Sequence, residues 1–502
     1  MPKRRNIVSI SAPGSLGLNT EDAPLDLPLE FASKADNCVI DNFGRLAARK
    51  GLEVTTASAT PLGSSDGIES IISHTTDSGD VDIFSSGNLK LFSGTTTLTD
   101  VTGALVVTAN DWKFESWDNE LWIAQAGHAL SRYDNGGTNV FVAVSGAPAA
   151  NDVFGGAGRL WAAGVSASPT TVYWSDLSDG TNWTTGDSGS IDLKDVFNGY
   201  DQVVSASIFN NFLIIFGSNN ILVYQGITDP ATMSLKDNIT GTGLVSRDAK
   251  ADIATDLVFL SRGGLRSLGR LIQADGSQPI ADVAKQIRTD LEAQIAVETG
   301  SIKFVYNETE RFLLVVFPSA SLVFCFNTSK FTPQGDLVVT RWTSVDLLTG
   351  ASKYFNGTLY LGGSKGIMSY STAYLDDGSS YTMEYLSNPS DLGAPAVNKM
   401  IKKIKPVVIS RASSSITVKW GYGFSNLFTS AQADIQGAQP AFYGVALFNN
   451  GEYYTSSTDI NDSIVYANGS GDVVTMGITG TVSGSLISLQ EIEMQLTTGR
   501  TL

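Results

Sequence analysis

Short apolar runs separated by Asn and Gly set the rhythm of this chain. Two of them, Phe212 to Phe216 and Ile221 to Tyr224, are too short for helices, rich in β-branched and aromatic residues, and bounded by Asn210-Asn211 and Gly217-Ser218-Asn219-Asn220. Asn tolerates positive φ, so Asn210-Asn211 suits a two-residue hairpin turn, with apolar Ile208 and Phe209 just before it. The predicted unit is a three-stranded meander.

The same order recurs along the middle of the chain. Trp117-Asp118-Asn119 leads into Leu121-Trp122-Ile123 and ends at Tyr133, and Phe355-Asn356-Gly357 leads into Leu359-Tyr360-Leu361 and ends at Tyr370. Looser copies lie at Asp82 to Phe92, Phe154 to Trp174, Leu257 to Leu268 and Tyr306 to Phe326. A spacing of roughly 40 to 55 residues is that of propeller blades, and the count is about six or seven. The fold class predicted is all-β, a β-propeller with an N-terminal extended arm and a C-terminal antiparallel β-sandwich. The divisions are 1–55 for the arm, 56–380 for the propeller and 381–502 for the sandwich.

Three stretches break the rhythm. In the first, Pro24, Leu25, Leu27, Pro28 and Leu29 precede the basic group Arg45, Arg49 and Lys50. Proline and glycine there favour an extended arm, either the domain's own outer wrapping or an element that binds a partner. In the second, Ile280, Val283, Ala284, Ile287, Leu291 and Ile295 fall at helical spacing, which predicts one inserted helix near 280–298. It is read as a lever or plug, or as a helix packed across a blade edge. In the third, Lys399, Lys402, Lys403 and Lys405 precede Pro406 and a strand over Val407 to Ile409, and Ile416 to Trp420 alternates as a half-buried strand does.

With 502 residues the chain can bury a large core, and 50 Gly with only 15 Pro fits an all-β architecture. A formal net charge of −17 argues against a general grip on nucleic acid, because binding phosphates requires Lys and Arg. Cys38 and Cys325 are too few and too far apart for a disulfide framework, which fits a reducing compartment. Neither a secretion signal nor an apolar run long enough to span a membrane is predicted.

The chemistry on offer is sparse. His74 and His128 are the two histidines, too few for a His-rich metal site or a set of His-based triads. Ser178-Asp179-Gly180-Thr181-Asn182-Trp183 is similar to the aspartate box of sialidases, but it occurs once and without a matching set of arginines. Asp376-Asp377-Gly378 could hold calcium, but reads more simply as a turn. No enzyme, cofactor or metal is predicted.

Gly17 to Thr20, Leu27-Pro28, Ala35 to Ile40 and Asn42 to Gly51 follow one another as in the nozzle proteins of short-tailed bacteriophages, also called tail hub or packaged-DNA stabilisation proteins. Val172 to Asp176, Asn182-Trp183 and Ile191 to Leu193, followed by the meander at Phe209, make a second region that resembles that family. The likeness runs to about Tyr370 and is weaker beyond.

The resemblance implies a structural virion protein made in the host bacterial cytoplasm. It would be one subunit of a homohexameric ring below the phage adaptor, near tail fibre, spike or needle proteins. Viral DNA would pass through the lumen without sequence-specific binding, and the ring would help retain the genome until ejection. A propeller's own hole is too narrow for duplex DNA, so the conduit must be a lumen between subunits. For docking onto the adaptor or an adjacent subunit the expected residues are Leu18, Asn19, Arg45, Arg49 and Lys50. The alternative is a carbohydrate-binding propeller that stacks sugars on Trp161, Trp174 and Trp183.

Overall fold

The computed structural model describes residues 5–57, 67–76, 79, 81–197, 199, 201–253, 256–273, 282–352, 357–410, 414–435 and 459–501. Among them, small antiparallel sheets follow one another in chain order. The first comprises Ser70–Thr75, Val81–Gly87, Lys90–Ser93 and Thr99–Asp100. The second comprises Lys113–Trp117, Glu120–Gln125, His128–Tyr133 and Phe141–Ala143. Asp152–Gly156, Arg159–Ala163, Thr171–Trp174 and Gly189–Asp192 form the third.

Val203–Phe209, Phe212–Gly217, Asn220–Gln225 and Ser234–Thr240 form the fourth sheet. Lys250–Ile253, Asp256–Ser261 and Gly264–Ser267 make a three-stranded fifth. Lys303–Asn307, Phe312–Phe317, Leu322–Phe331 and Leu337–Thr343 make the sixth. The seventh, Thr349–Ser352, Leu359–Gly363 and Gly366–Ser371, takes its outer strand from Gly51–Val54, near the other end of the chain. Its first strand lies beside that of the first sheet, which closes the circle of a β-propeller.

Turn chemistry explains the hairpins. Asp118 and Asn119 have φ of 51° and 60°, and Asn210 and Asn211 have 47° and 63°, the left-handed pair that a tight hairpin of this twist requires. Phe355 and Asn356 of the third copy lie outside the described residues. Aromatic residues then fill the gaps between neighbouring sheets. Trp161 and Trp174 pack with Leu213, Ile215 and Tyr224 between the third and fourth, and Trp122 packs with Val153 and Leu160 between the second and third. Gly155 is needed where it stands, because a Cβ there would come within 2.3 Å of the Trp117 ring.

The helix is shorter than predicted. A 3-10 turn, Lys285–Ile287, leads into an α-helix, Arg288–Val297, and a separate short helix spans Leu268–Gln273. Ile280 lies outside the described residues. Val283 and Ala284 are buried for a different reason: Asp282 bridges to Arg266 and Val283 donates to the Leu265 carbonyl, so this stretch runs beside the fifth sheet as a strand would. The helix packs against that sheet's outer strand.

Beyond Tyr381 two larger sheets share one core that includes Ile401, Ile404, Trp420, Met476, Leu489 and Ile492. One extends the sixth propeller sheet through Ala32–Asp36, Tyr381–Ser387, Val474–Val482, Ser414–Tyr422 and Thr429–Ile435. The other is built on the long pair Val397–Ser410 and Ile487–Thr501, with Arg5–Ser11, Cys38–Ile40 and Leu46–Ala48 beside the latter strand or its neighbour. The N-terminal segment is therefore wrapping, woven into both sheets.

The lysine group does not precede a strand but lies within one. Lys399 is buried and donates to the carbonyls of Ala394, Val397 and Asp472, while the Lys403 ammonium sits over the Tyr466 ring. Pro406 is tolerated mid-strand because it falls between the two short partners, Asp459–Asp462 opposite Val407 to Ser410 and Val465–Tyr466 opposite Lys403 and Ile404.

The propeller axis is filled with charge. Asp111 accepts from Arg247 and Lys303 at 2.6 Å each, and Arg247 also binds Asp248 at 2.6 Å. Lys113 lies 3.5 Å from Asp248, and Lys250 lies 3.6 Å from the fully buried Asp152. Lys250 also donates to the Ala206 carbonyl, tying the fifth sheet to the fourth. A cavity of about 190 Å³ is left among Lys113, Asp248, Lys250 and Lys303. Burial pushes the Asp248 carboxyl up, but Arg247, Lys113 and Lys303 outweigh it and hold the group well below the usual range. Asp111 is depressed in the same way, against its burial, by Lys303 and Arg247.

Two outcomes follow from this network. Arg247→Leu removes the guanidinium that bridges Asp111 and Asp248 and leaves only Lys303 and Lys113 to balance them, and is expected to cost about 3–5 kcal/mol in urea unfolding. A loss near zero would show that the ion pairs do not hold the axis. For acid, both carboxyls have folded values below the ordinary 3.8, so their stabilisation is fully present above that value and lost as pH falls through the folded ones. Thermal stability should therefore drop below about pH 4, and Asp248→Asn should flatten that slope.

Candidate functional site

Of the docking residues expected from the sequence, Arg45, Arg49 and Lys50 lie at the seam between the propeller and the C-terminal sheets, and Leu18 and Asn19 do not. Arg49 is 1% exposed. Its guanidinium forks onto Asp376 at 2.8 and 2.5 Å, its Nε donates to Asn37 at 3.3 Å, and its plane lies 4.2 Å from the Tyr381 ring. The Tyr381 hydroxyl donates back to the Arg49 carbonyl. Burial pushes the Tyr381 hydroxyl up despite the neighbouring guanidinium.

Asn37, with φ of 55°, places its amide between Thr343 and the Thr382 carbonyl, so one side chain joins strands of three origins. Asp376 sits in a turn closed by paired backbone bonds with Ser379 and also accepts from the Leu52 amide. The Asp376-Asp377-Gly378 stretch is a turn that binds an arginine. Among the described residues no group of three or more His, Cys, Asp or Glu side chains could hold a metal ion.

Lys50 pairs with Glu310, lies 5.5 Å from the Tyr370 ring, and donates its amide to the Tyr370 hydroxyl at 3.1 Å. Arg45 binds Asp41 at 2.8 and 2.9 Å and lies 4.7 Å from the ring of Phe43. Asp41 also accepts from the amides of Phe43 and Arg45, which pinches this loop and leaves Phe43 83% exposed at its tip. Behind the loop is a cleft of about 220 Å³, with Ile40, Phe43, Phe312, Tyr370 and Leu486 in its walls and Arg45 and Lys50 at its rim.

Leu18 and Asn19 lie elsewhere and are buried. Leu18 donates its amide to the Val339 carbonyl. Asn19 accepts from the amides of Glu21 and Asp22 and donates to the Asp22 carboxylate at 2.8 Å, fixing the base of the next loop. Three of the five expected residues thus shape the surface from beneath, and Arg45 and Lys50 reach it. Phe43 was not expected as the exposed tip; an aromatic between Asp41 and Gly44 in an otherwise polar turn was the available signal.

The other candidates resolve simply. Trp161, Trp174 and Trp183 are buried, so they form no platform for sugars. The aspartate-box turn is closed on itself, with the Trp183 indole donating to the Gly180 carbonyl at 2.7 Å and Asp179 accepting from Thr181. His128 is half-buried, its Nε2 2.8 Å from the Thr108 hydroxyl. Both cysteines are buried, and burial pushes both thiols up.

Compared with known proteins, residues 88–357 match a family model described as bacteriophage P22 Gp10, beta-propeller. No curated protein matches the chain. Among solved structures, a chain in a crystal structure of the mitotic checkpoint complex is 8% identical, with a TM-score of 0.37 over 59% of this chain and 87% of that one.

Arg49→Ala is expected to lower stability by about 3–5 kcal/mol, since it strands Asp376 beside a buried ring. Arg49→Lys should recover only part of this, because an ammonium cannot make the fork. Equal unfolding midpoints for Arg49→Lys and the parent protein would contradict this account.

Proposed function

Given that the chain belongs to the family of the bacteriophage P22 Gp10 β-propeller, a phage tail structural protein, we propose that it is one subunit of a homohexameric nozzle below the adaptor. There it lines the DNA exit and helps retain the packaged genome until ejection. The family's structural role in the virion points away from catalysis. No helix among the described residues is long and apolar enough to cross a membrane.

The observation that carries this reading is the filled propeller axis. Asp111, Arg247, Asp248, Lys250 and Lys303 occupy the position a conduit would need, so a passage for duplex DNA has to run between copies. Each of the seven successive sheets would then be one blade of a solid wall.

The charge distribution supports the same reading. Residues 67–240, the first four sheets, hold nineteen Asp and Glu against six Lys and Arg. Asp100, Asp179, Asp187, Asp192, Asp195 and Asp229 are exposed there. A wall of one sign repels phosphates and lets DNA slide, and we assign this sector to the lumen.

The test is electron microscopy of the protein mixed with its adaptor. Six-fold rings with an open centre are expected, and monomers alone on the adaptor would sink the reading. In assembled particles, changing Asp179, Asp192, Asp195 and Asp229 to Lys should slow DNA release. Unchanged ejection kinetics would remove the acidic sector from the lumen without touching the ring.

A further inference from the structure

Two exposed parts of the N-terminal segment carry opposite charge, one on a projecting loop and one around a cleft. One is a knob. Residues 21–26 are all exposed and carry Glu21, Asp22 and Asp26 around Leu25, which is 43% exposed. The loop is held in place: Asn19 caps its start, Glu21 accepts from the Thr289 amide, and Thr20 donates to Asp290. An ordered loop loses little freedom on docking.

The other is a socket, the cleft behind Phe43. Its rim is basic in a chain that is acidic overall. Arg45 and Lys50 stand at the cleft itself, and Lys330 reaches the same loop by donating to the Gly44 carbonyl at 2.9 Å. Arg311 is exposed beside that strand, its carbonyl accepting from the Thr328 amide. Phe331, next to Lys330, is also exposed. Asp41 and Glu310 partly offset Arg45 and Lys50, and Asp41 also acts on Lys330 from a distance; neither Lys330 nor Arg311 forms an ion pair among the described residues.

Knob and socket do not meet within one chain. The knob is tied to the helix Arg288–Val297, the socket to Glu310, Lys330 and Tyr370, and no hydrogen bond or ion pair joins them among the described residues. We propose that the acidic Leu25 knob of one copy docks in the Phe43 cleft of the next, Leu25 entering the apolar walls and Asp22 and Asp26 facing Lys330 and Arg311. Two different surfaces pairing head to tail generate a ring when the rotation closes. The contact thus rests on the nozzle reading and gives it a lateral interface.

The experiment uses the full chain with its adaptor, scored by ring images and by mass in solution. Wild type comes first, because absence of rings ends both the nozzle reading and this contact. Given rings, Lys330→Glu or Asp26→Lys alone should raise the concentration needed for closure by about tenfold or more. Carrying both in one chain should restore it, and melting curves on each variant check that the fold is intact. Leu25→Cys with Phe43→Cys should give a ladder of cross-linked copies on non-reducing gels, the native thiols being buried. Rings indifferent to both reversals, or a cross-link confined to single chains, would overturn the contact and leave the ring standing. Rings kept but adaptor binding lost would also overturn it, assigning the socket to the adaptor.

Discussion

A single buried arginine holds two halves of this protein in register. Arg49 is out of water, so its charge has to be met inside, and the fork onto Asp376 meets it with two parallel bonds of fixed direction. That geometry ties three separate stretches together: the N-terminal segment that carries Arg49, the turn at Asp376 after the seventh sheet, and Tyr381 at the start of the C-terminal sheets. Two residues further on, Gly51–Val54 begins the outer strand of that seventh sheet. Ring closure and domain junction are therefore set by the same few residues, and neither can shift without the other.

The propeller axis solves a related problem in the opposite way. Its inner strands bring polar and charged side chains together around a cavity of about 190 Å³. The solution is a near-neutral set of acids and bases, Asp111, Glu115, Asp152 and Asp248 against Lys113, Arg247, Lys250 and Lys303. Not all of them are equally comfortable: burial pushes the Glu115 carboxyl up and the Lys250 ammonium down. The charges balance as a set, although one buried oxygen of Asp152 has no hydrogen-bond partner among the described residues, and removing one member costs more than the net worth of any pair.

Much of the propeller was legible because its signals are local. Asn210-Asn211 and Asp118-Asn119 specify hairpins through backbone conformation alone, and Trp161 and Trp174 mark the gaps between sheets. The helix start was misread because Val283 and Ala284 are buried by strand-like pairing to Leu265, and a burial period cannot distinguish that from a helix. The seam was legible only as a basic cluster. That Arg49 turns inward while Arg45 and Lys50 stay near the surface depends on Asp376 and Glu310, hundreds of residues away, and no local pattern carries that information. The axial charges were missed for the same reason. They lie on or just before the first strands of different sheets, and the set exists only when those strands converge.

Net charge constrains how copies of such a chain can meet. Six copies in the proposed ring would total about −100, so random approach is repulsive and most faces are excluded. Attachment is favoured where the local sign reverses, and in this chain a reversal at Arg311 and Lys330 coincides with an apolar cleft and an exposed aromatic. The same repulsion that would restrict the proposed lateral contact is useful elsewhere, since the acidic sector of residues 67–240 has no reason to hold DNA. In the proposed nozzle one charge distribution would serve two ends: it would select which surfaces associate and keep the remaining wall free of the polymer passing it.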